Sequence, residues 1–418
     1  MNTAEKQRLL DEIAASDYLP SLSPLTVQLI GLAADEHSSI LDLTRIIEQD
    51  PGLTARLLKI VNSAFYAHRE PITAISYAVM VAGFDKIRMM ALNISLKDTF
   101  PLGKINGMDY DYFWKTSLYR AIIAQDLVKG SYLTNLLDHE EVFTAGLILE
   151  IGLPLAFHLC PEELKDSFPG GDLPLEEILH WEEEHLGVNH RELGALTLRH
   201  WNFPDPFIEI QNNFGLTALL EQSADFPKIV EIARVCTQLF FGGGEEDFTL
   251  LKQISGWLKT GMDRVSDILS QAFFRVEEMA RELRLQINPE QDRMEVMEKA
   301  GRVLAKINGS LEENLGKFSG LISARNLAAQ PSAADLSTAQ RKDLETALEA
   351  MAHEIRNPLT AIGGFAQRMV KKGQEQVDVV KYAELIVKES QRLEQVLNDM
   401  MNITDKGAAS STTRPKEK

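Results

Sequence analysis

This sequence is short of several things, and each shortage narrows what the protein can be. It holds two cysteines in 418 residues. Cys160 and Cys236 sit among apolar neighbours, and two thiols make neither a disulfide framework nor a zinc cage, which fits a reducing cytosol. Basic residues are in deficit, 43 against 61 acidic, and the net charge of −18 argues against nucleic acid or an anionic membrane as the main ligand. Long hydrophobic runs are missing: the most apolar stretch, 145–159, is broken by Glu150 and Pro154 and is too short to span a bilayer. The opening M-N-T-A-E-K-Q-R starts a polar helix rather than a signal peptide. A cytoplasmic protein that takes its input from inside the cell is expected. Strand-like alternation is absent throughout, so the fold class reads as all-α.

What is present is a chain that is 44% hydrophobic, enough for a sizeable core, with room for two or three domains. Residues 1–15 form a short amphipathic helix. L-P-S-L-S-P-L from Leu19 then runs extended. Helices follow over 26–34 and 39–49, with Ser38 or Ser39 as N-cap, and a third is opened by Asp50-Pro51. On that helix Asn62 and Ser63 interrupt an apolar pattern; capping and core hydrogen bonds explain them better than catalysis.

The run I-I-E-Q-D-P-G-L-T-A-R-L-L-K-I-V-N-S-A-F-Y, with L-P-S-L-S-P-L before it and I-T-A-I-S-Y-A-V-M-V-A-G-F-D-K-I-R after it, resembles the HDOD domain, the HD-related output domain of bacterial signalling proteins. Phe113-Trp114, 145–152 and L-G-V-N-H-R-E-L-G-A-L-T-L-R-H-W-N-F-P agree in order. The resemblance covers about 15–215, with helices to 285 completing a domain over 1–285. Relatives of this fold that are phosphohydrolases hold metal with an H…HD…D set. Here Leu149-Glu150 stand in the place of the paired His-Asp, and Thr116 near that of the first histidine. Asn212-Asn213 occupy the spot where many HDOD members carry two histidines. Leucine cannot ligate and neutral Asn is a weak ligand, so no bound metal and no metal-dependent phosphohydrolase activity are expected.

His180, His185 and His190 lie five apart, turning about 140° per step, so they share no helix face. With Glu182, Glu183 and Glu184 between them they read as a solvated acidic surface. Gly242-Gly243-Gly244 is a turn without the Lys and Ser/Thr of a phosphate-cradling loop. Trp257, Ile268, Phe273 and Phe274 beyond it are expected core.

From Pro289 the apolar pattern becomes a heptad: Met294, Met297, Gly301, Leu304, Asn308, Leu311, Leu315, Phe318 and Ile322. A parallel coiled coil over 289–325 and a helix packed on its own domain both fit. Residues 326–337 read as a linker.

The stretch 344–369 carries Leu344, Leu348, Met351, Ile355, Leu359, Ile362, Phe365 and Met369 on one helical stripe. His353 stands about 200° from both Met351 and Ile355 and so points away from the stripe, where it is accessible to phosphorylation. Glu354 can take a proton from one ring nitrogen, leaving the other as nucleophile. Asn357 can orient a water or a phosphoryl oxygen, and Pro358 loosens the helix. The motif H-E-I-R-N-P-L resembles the H-box of the histidine-kinase dimerisation and phosphoacceptor domain (HisKA). That resemblance implies a helical hairpin over 338–405, its second helix lined by Val379, Tyr382, Ile386, Leu393, Val396, Met400 and Ile403. Two hairpins would pair into a four-helix bundle with both copies of His353 outside. Residues 406–418 read as a disordered tail.

No asparagine or glycine box of an ATP-binding domain follows, so no cofactor is expected on this chain. ATP would serve as phosphate source only through a partner or a further domain. The expected partners are a second copy, a response regulator, and a kinase or ATP-binding domain in trans. The rival expectation is a non-catalytic HDOD scaffold whose hairpin only dimerises.

Overall fold

The computed structural model describes residues 3–15, 19–34, 38–62, 71–165, 174–213, 215, 224–241, 250–283, 285, 287, 288, 291–303, 359, 362–364, 366, 367, 370, 380, 381 and 383–395. These residues are helical apart from one two-stranded ribbon and the connecting turns. The chain separates into two compact units. The first takes 1–246, 257–260 and 271–289; the second takes 247–256, 261–270 and 290–418.

The first unit opens with α1 (Thr3–Ala15), α2 (Pro24–Ala34), α3 (Ile40–Glu48), α4 (Pro51–Val61), α5 (Ile75–Ala82) and α6 (Phe84–Asp98). Local chemistry sets their starts. Ser39 and Asp42 form a reciprocal capping box on α3, and Asp50 caps α4 ahead of Pro51. Asn62 closes α4: its amide donates to the Leu58 and Ile72 carbonyls while its oxygen accepts from Ile72 N–H.

Next comes a ribbon that sequence alternation did not announce. Strands β1 (Lys104–Ile105) and β2 (Met108–Asp109) pair antiparallel around Asn106 and Gly107, both at positive φ. An Asn-Gly pair is suited to such a turn, and the strands are too short for a period of two to show.

Behind the ribbon lies α7 (Tyr110–Lys129), capped by Asp109 and buried on nearly all sides. It packs most extensively on α8 (His139–Ile148) and on α14 (Asp225–Phe241). Between these two in sequence come α9 (Gly152–Leu159), α10 (Pro161–Lys165), α11 (Leu175–Leu186), α12 (His190–His200) and α13 (Asp205–Asn212). Trp114, Tyr119 and Phe273 are fully buried, and Tyr119 and Phe273 pack with Phe241. The segment His139–Leu159 has the length and hydropathy of a membrane span, yet 78% of its apolar window is buried within the protein and a turn divides it into α8 and α9.

Two helices, α15 (Leu250–Trp257) and α16 (Met262–Glu282), are shared between the units. Ile268 and Phe273 on α16 are buried as expected, while Trp257 and Phe274 are half-buried. In the second unit, residues 291–303 are helical with Asp292, Arg293, Val296, Met297, Lys299 and Ala300 buried. That face is wider than a coiled-coil seam, so this stretch packs within the single chain. The heptad beyond 303 lies outside the described residues.

Candidate functional site

His353, Glu354 and Asn357 lie outside the described residues. Their helical neighbours are described. Leu359 and Ile362 on the first stripe, and Ile386 and Leu393 on the second, are buried as the periodicity requires. Gly363 approaches Ser390 so closely that an added Cβ would stand 3.1 Å from the Ser390 Cβ. The two stretches therefore touch, as the arms of a hairpin do.

The described residues hold a second candidate site, inside the first unit. A cavity of about 300 Å³ opens beside α7. Its walls are mostly apolar, with Phe113, Leu153, Phe157, Ile178 and Phe241 among them, and Met108 and Asp109 of the ribbon contribute at one side. Its polar end is made by Arg120, Glu150, His190 and Arg234.

Those four belong to a buried ionic network that ties the helices together. Arg120 Nε donates to the Gly146 carbonyl at 2.6 Å, Nη1 to Glu150 Oε2 at 2.9 Å and Nη2 to Ser117 Oγ at 3.0 Å. Arg191 Nη2 reaches Glu150 Oε1 at 3.9 Å and Glu231 Oε2 at 3.5 Å. Arg234 closes the set on Glu231 Oε1 at 2.7 Å. Burial would raise the Glu150 carboxyl, but the guanidiniums of Arg120 and Arg191 outweigh it and hold the group at about 2. Burial draws Arg191 down to about 10 against the pull of Glu231 and Glu150, so both partners stay charged at neutral pH.

His190 corrects the surface reading of the three spaced histidines. His180 and His185 do lie on the outside of α11, the first pairing with Glu184 and the second stacking on Trp181. The helix ends at Leu186 with Gly187 left-handed, and His190 starts α12, so the rotation expected from a continuous helix does not apply to it. His190 is 3% exposed and Glu182 is 0%. Glu182 Oε2 accepts from His190 Nδ1 at 2.7 Å and from its backbone N–H at 2.8 Å. A carboxylate on Nδ1 fixes the proton there and leaves Nε2 as the free nitrogen. Nε2 is buried and has no hydrogen-bond partner.

The residues at the positions where the HDOD resemblance points to a metal set do not fit one. Leu149 is buried and offers no donor, and the Glu150 carboxylate is already committed to two guanidiniums. The Thr116 hydroxyl lines the cavity and donates to backbone carbonyls of its own helix. Asn212 is exposed, and neither Asn212 nor Asn213 reaches the cavity. Among the described residues no group of three His, Cys, Asp or Glu is arranged to hold a metal ion.

The fold is that of the HDOD domain. Its family matches residues 19–214. A crystal structure of an HDOD domain protein with unknown function from Geobacter sulfurreducens superposes with a TM-score of 0.53 at 20% identity, over 68% of this chain and 99% of that one. A Shewanella amazonensis structure described as a candidate phosphohydrolase gives 0.52 at 22% identity, over 67% and 98%. An uncharacterized Treponema pallidum protein is 24% identical over 220 residues, 49% of this chain and 40% of that relative's length. The His Kinase A (phospho-acceptor) domain family matches residues 343–409. The chain thus joins an HDOD domain to a HisKA domain, which makes it a signal-transduction protein.

Proposed function

We propose that this is a cytoplasmic, homodimeric protein of the two-component type, in which the HDOD domain receives an input and His353 receives a phosphoryl group. One observation carries the reading: H-E-I-R-N-P-L lies inside a HisKA match on the same chain as an HDOD match. One nitrogen of His353 attacks the phosphoryl group while Glu354 holds the proton on the other. Asn357 positions water when a phosphorylated response regulator is dephosphorylated. The phosphate comes from ATP through a kinase or an ATP-binding domain acting in trans. The HDOD face works by binding.

The test is to incubate the purified chain with labelled ATP, alone and with lysate of its native host, beside His353→Gln. Label that requires lysate and falls to background in the variant is the expected result. Label on the wild type without lysate would reveal a nucleotide site on the chain itself. Unlabelled protein in both conditions would favour a scaffold whose hairpin only dimerises.

A further inference from the structure

We infer that the cavity beside α7 is a ligand site for a small organic monocarboxylate with an apolar body, held by His190 in its protonated form. The inference goes beyond the phosphorelay reading and does not depend on it.

Three observations converge on this ligand class. The cavity is of ligand size and mostly apolar, with its polar groups gathered at one end, as small-molecule sites commonly are. Its wall includes a buried imidazole whose Nε2 has no partner, although Nδ1 is firmly held by Glu182. An unpaired buried polar atom is costly, and a ligand oxygen would satisfy it. The third observation is the charge balance. Arg120, Arg191 and Arg234 face Glu150, Glu231 and Glu182 in one buried network, three cations against three carboxylates when His190 is neutral. A bound anion would leave one negative charge unmatched in a low-dielectric site. Protonation of His190 at Nε2 supplies the single missing positive charge and the donor for the ligand oxygen together. A monoanion is matched by that one proton; a phosphate dianion is not.

The titratable and charged groups around His190 are Glu182 on α11, Arg120 on α7, Glu150 between α8 and α9, and Arg191 and Arg234 on α12 and α14. Asp109 stands at the ribbon side, more exposed and paired with Lys104. The guanidiniums and the nearby carboxylates are already matched to one another. The imidazole is therefore the group whose charge changes on binding.

The experiment is titration calorimetry of the full chain at pH 6.5 with 4-phenylbutyrate and decanoate, each beside the corresponding alcohol. Saturable binding of one acid per chain is expected, at least tenfold tighter than its alcohol. Repeating it in buffers of different ionisation enthalpy should show uptake of about one proton per ligand bound. His190→Gln should weaken the acid at least tenfold and abolish the proton uptake. Leu153→Trp fills the apolar end without touching the network, so it should also block binding, and it keeps the test alive if the histidine variant does not fold. Failure of both acids to bind, equal affinity for acid and alcohol, or wild-type affinity in either folded variant would overturn the assignment. None of these readings involves phosphate transfer, so failure here and failure of the relay are separate outcomes.

Discussion

Glu150 shows how a residue that looked like a lost metal ligand became something else. It sits between α8 and α9 facing the cavity, and Arg120 and Arg191 reach it from two other helices. Its folded value of about 2 lies below the ordinary 4.5, so the ionised carboxylate stabilises the protein above pH 4.5. That stability is lost as pH falls from 4.5 toward 2. At about 1.4 kcal/mol per pH unit, the displacement corresponds to about 3 kcal/mol. Glu150→Gln should therefore lose about 3 kcal/mol or more in urea unfolding at pH 7, because it strands two buried guanidiniums. Its stability should also fall less steeply than the wild type's between pH 4.5 and 3. A variant as stable and as acid-sensitive as the wild type would remove the network as a source of stability. The signal for this network was in the sequence as single charges inside apolar helical runs, Arg120 in L-Y-R-A-I-I and Arg234 in I-A-R-V-C. What could not be read was which carboxylate meets which guanidinium, because the partners are 30 or more positions apart in several cases.

At the scale of elements, the cavity depends on helices that cross at glycines. Gly152 opens α9 against α12, and a Cβ there would stand 1.9 Å from the His190 carbonyl oxygen and 2.4 Å from Gly194 N. Gly146 lets α8 approach α7, where a Cβ would meet Ala121 Cα at 2.8 Å. That second crossing also brings the Gly146 carbonyl within reach of Arg120. Both obstacles are backbone, which cannot swing aside. Gly152→Ala should thus cost at least about 3 kcal/mol, or prevent folding, and it should displace His190 as it does so. Thermal unfolding followed by circular dichroism checks this; a change of melting temperature within a degree or two would mean that α9 and α12 can move apart freely. Isolated glycines inside an apolar helical pattern do hint at close packing. They do not name the partner helix.

At the scale of the whole molecule, the HisKA hairpin pairs with a second copy if the four-helix bundle forms. Light scattering of the purified chain should then give twice the chain mass. A chain truncated before residue 338 should shift toward monomer, unless the heptad after Pro289 holds a dimer by itself. A full-length protein that stays monomeric at micromolar concentration would rule out the dimeric relay.

Sequence by itself determined the all-α class, the caps at Ser39 and Asp50, the HDOD and HisKA resemblances, and the stripe to which Leu359 and Ile362 belong. These rest on short-range patterns: a cap needs only its next three residues, and a stripe only its own helix. Tertiary structure decided the rest. It turned His190 from a surface residue into a buried one by ending α11 at Gly187, placed Glu182 against it, and gathered Arg120, Glu150 and Arg234 at one end of a cavity. Burial and pairing of this kind depend on which helix faces cross, and that is settled by contacts between segments far apart in the chain.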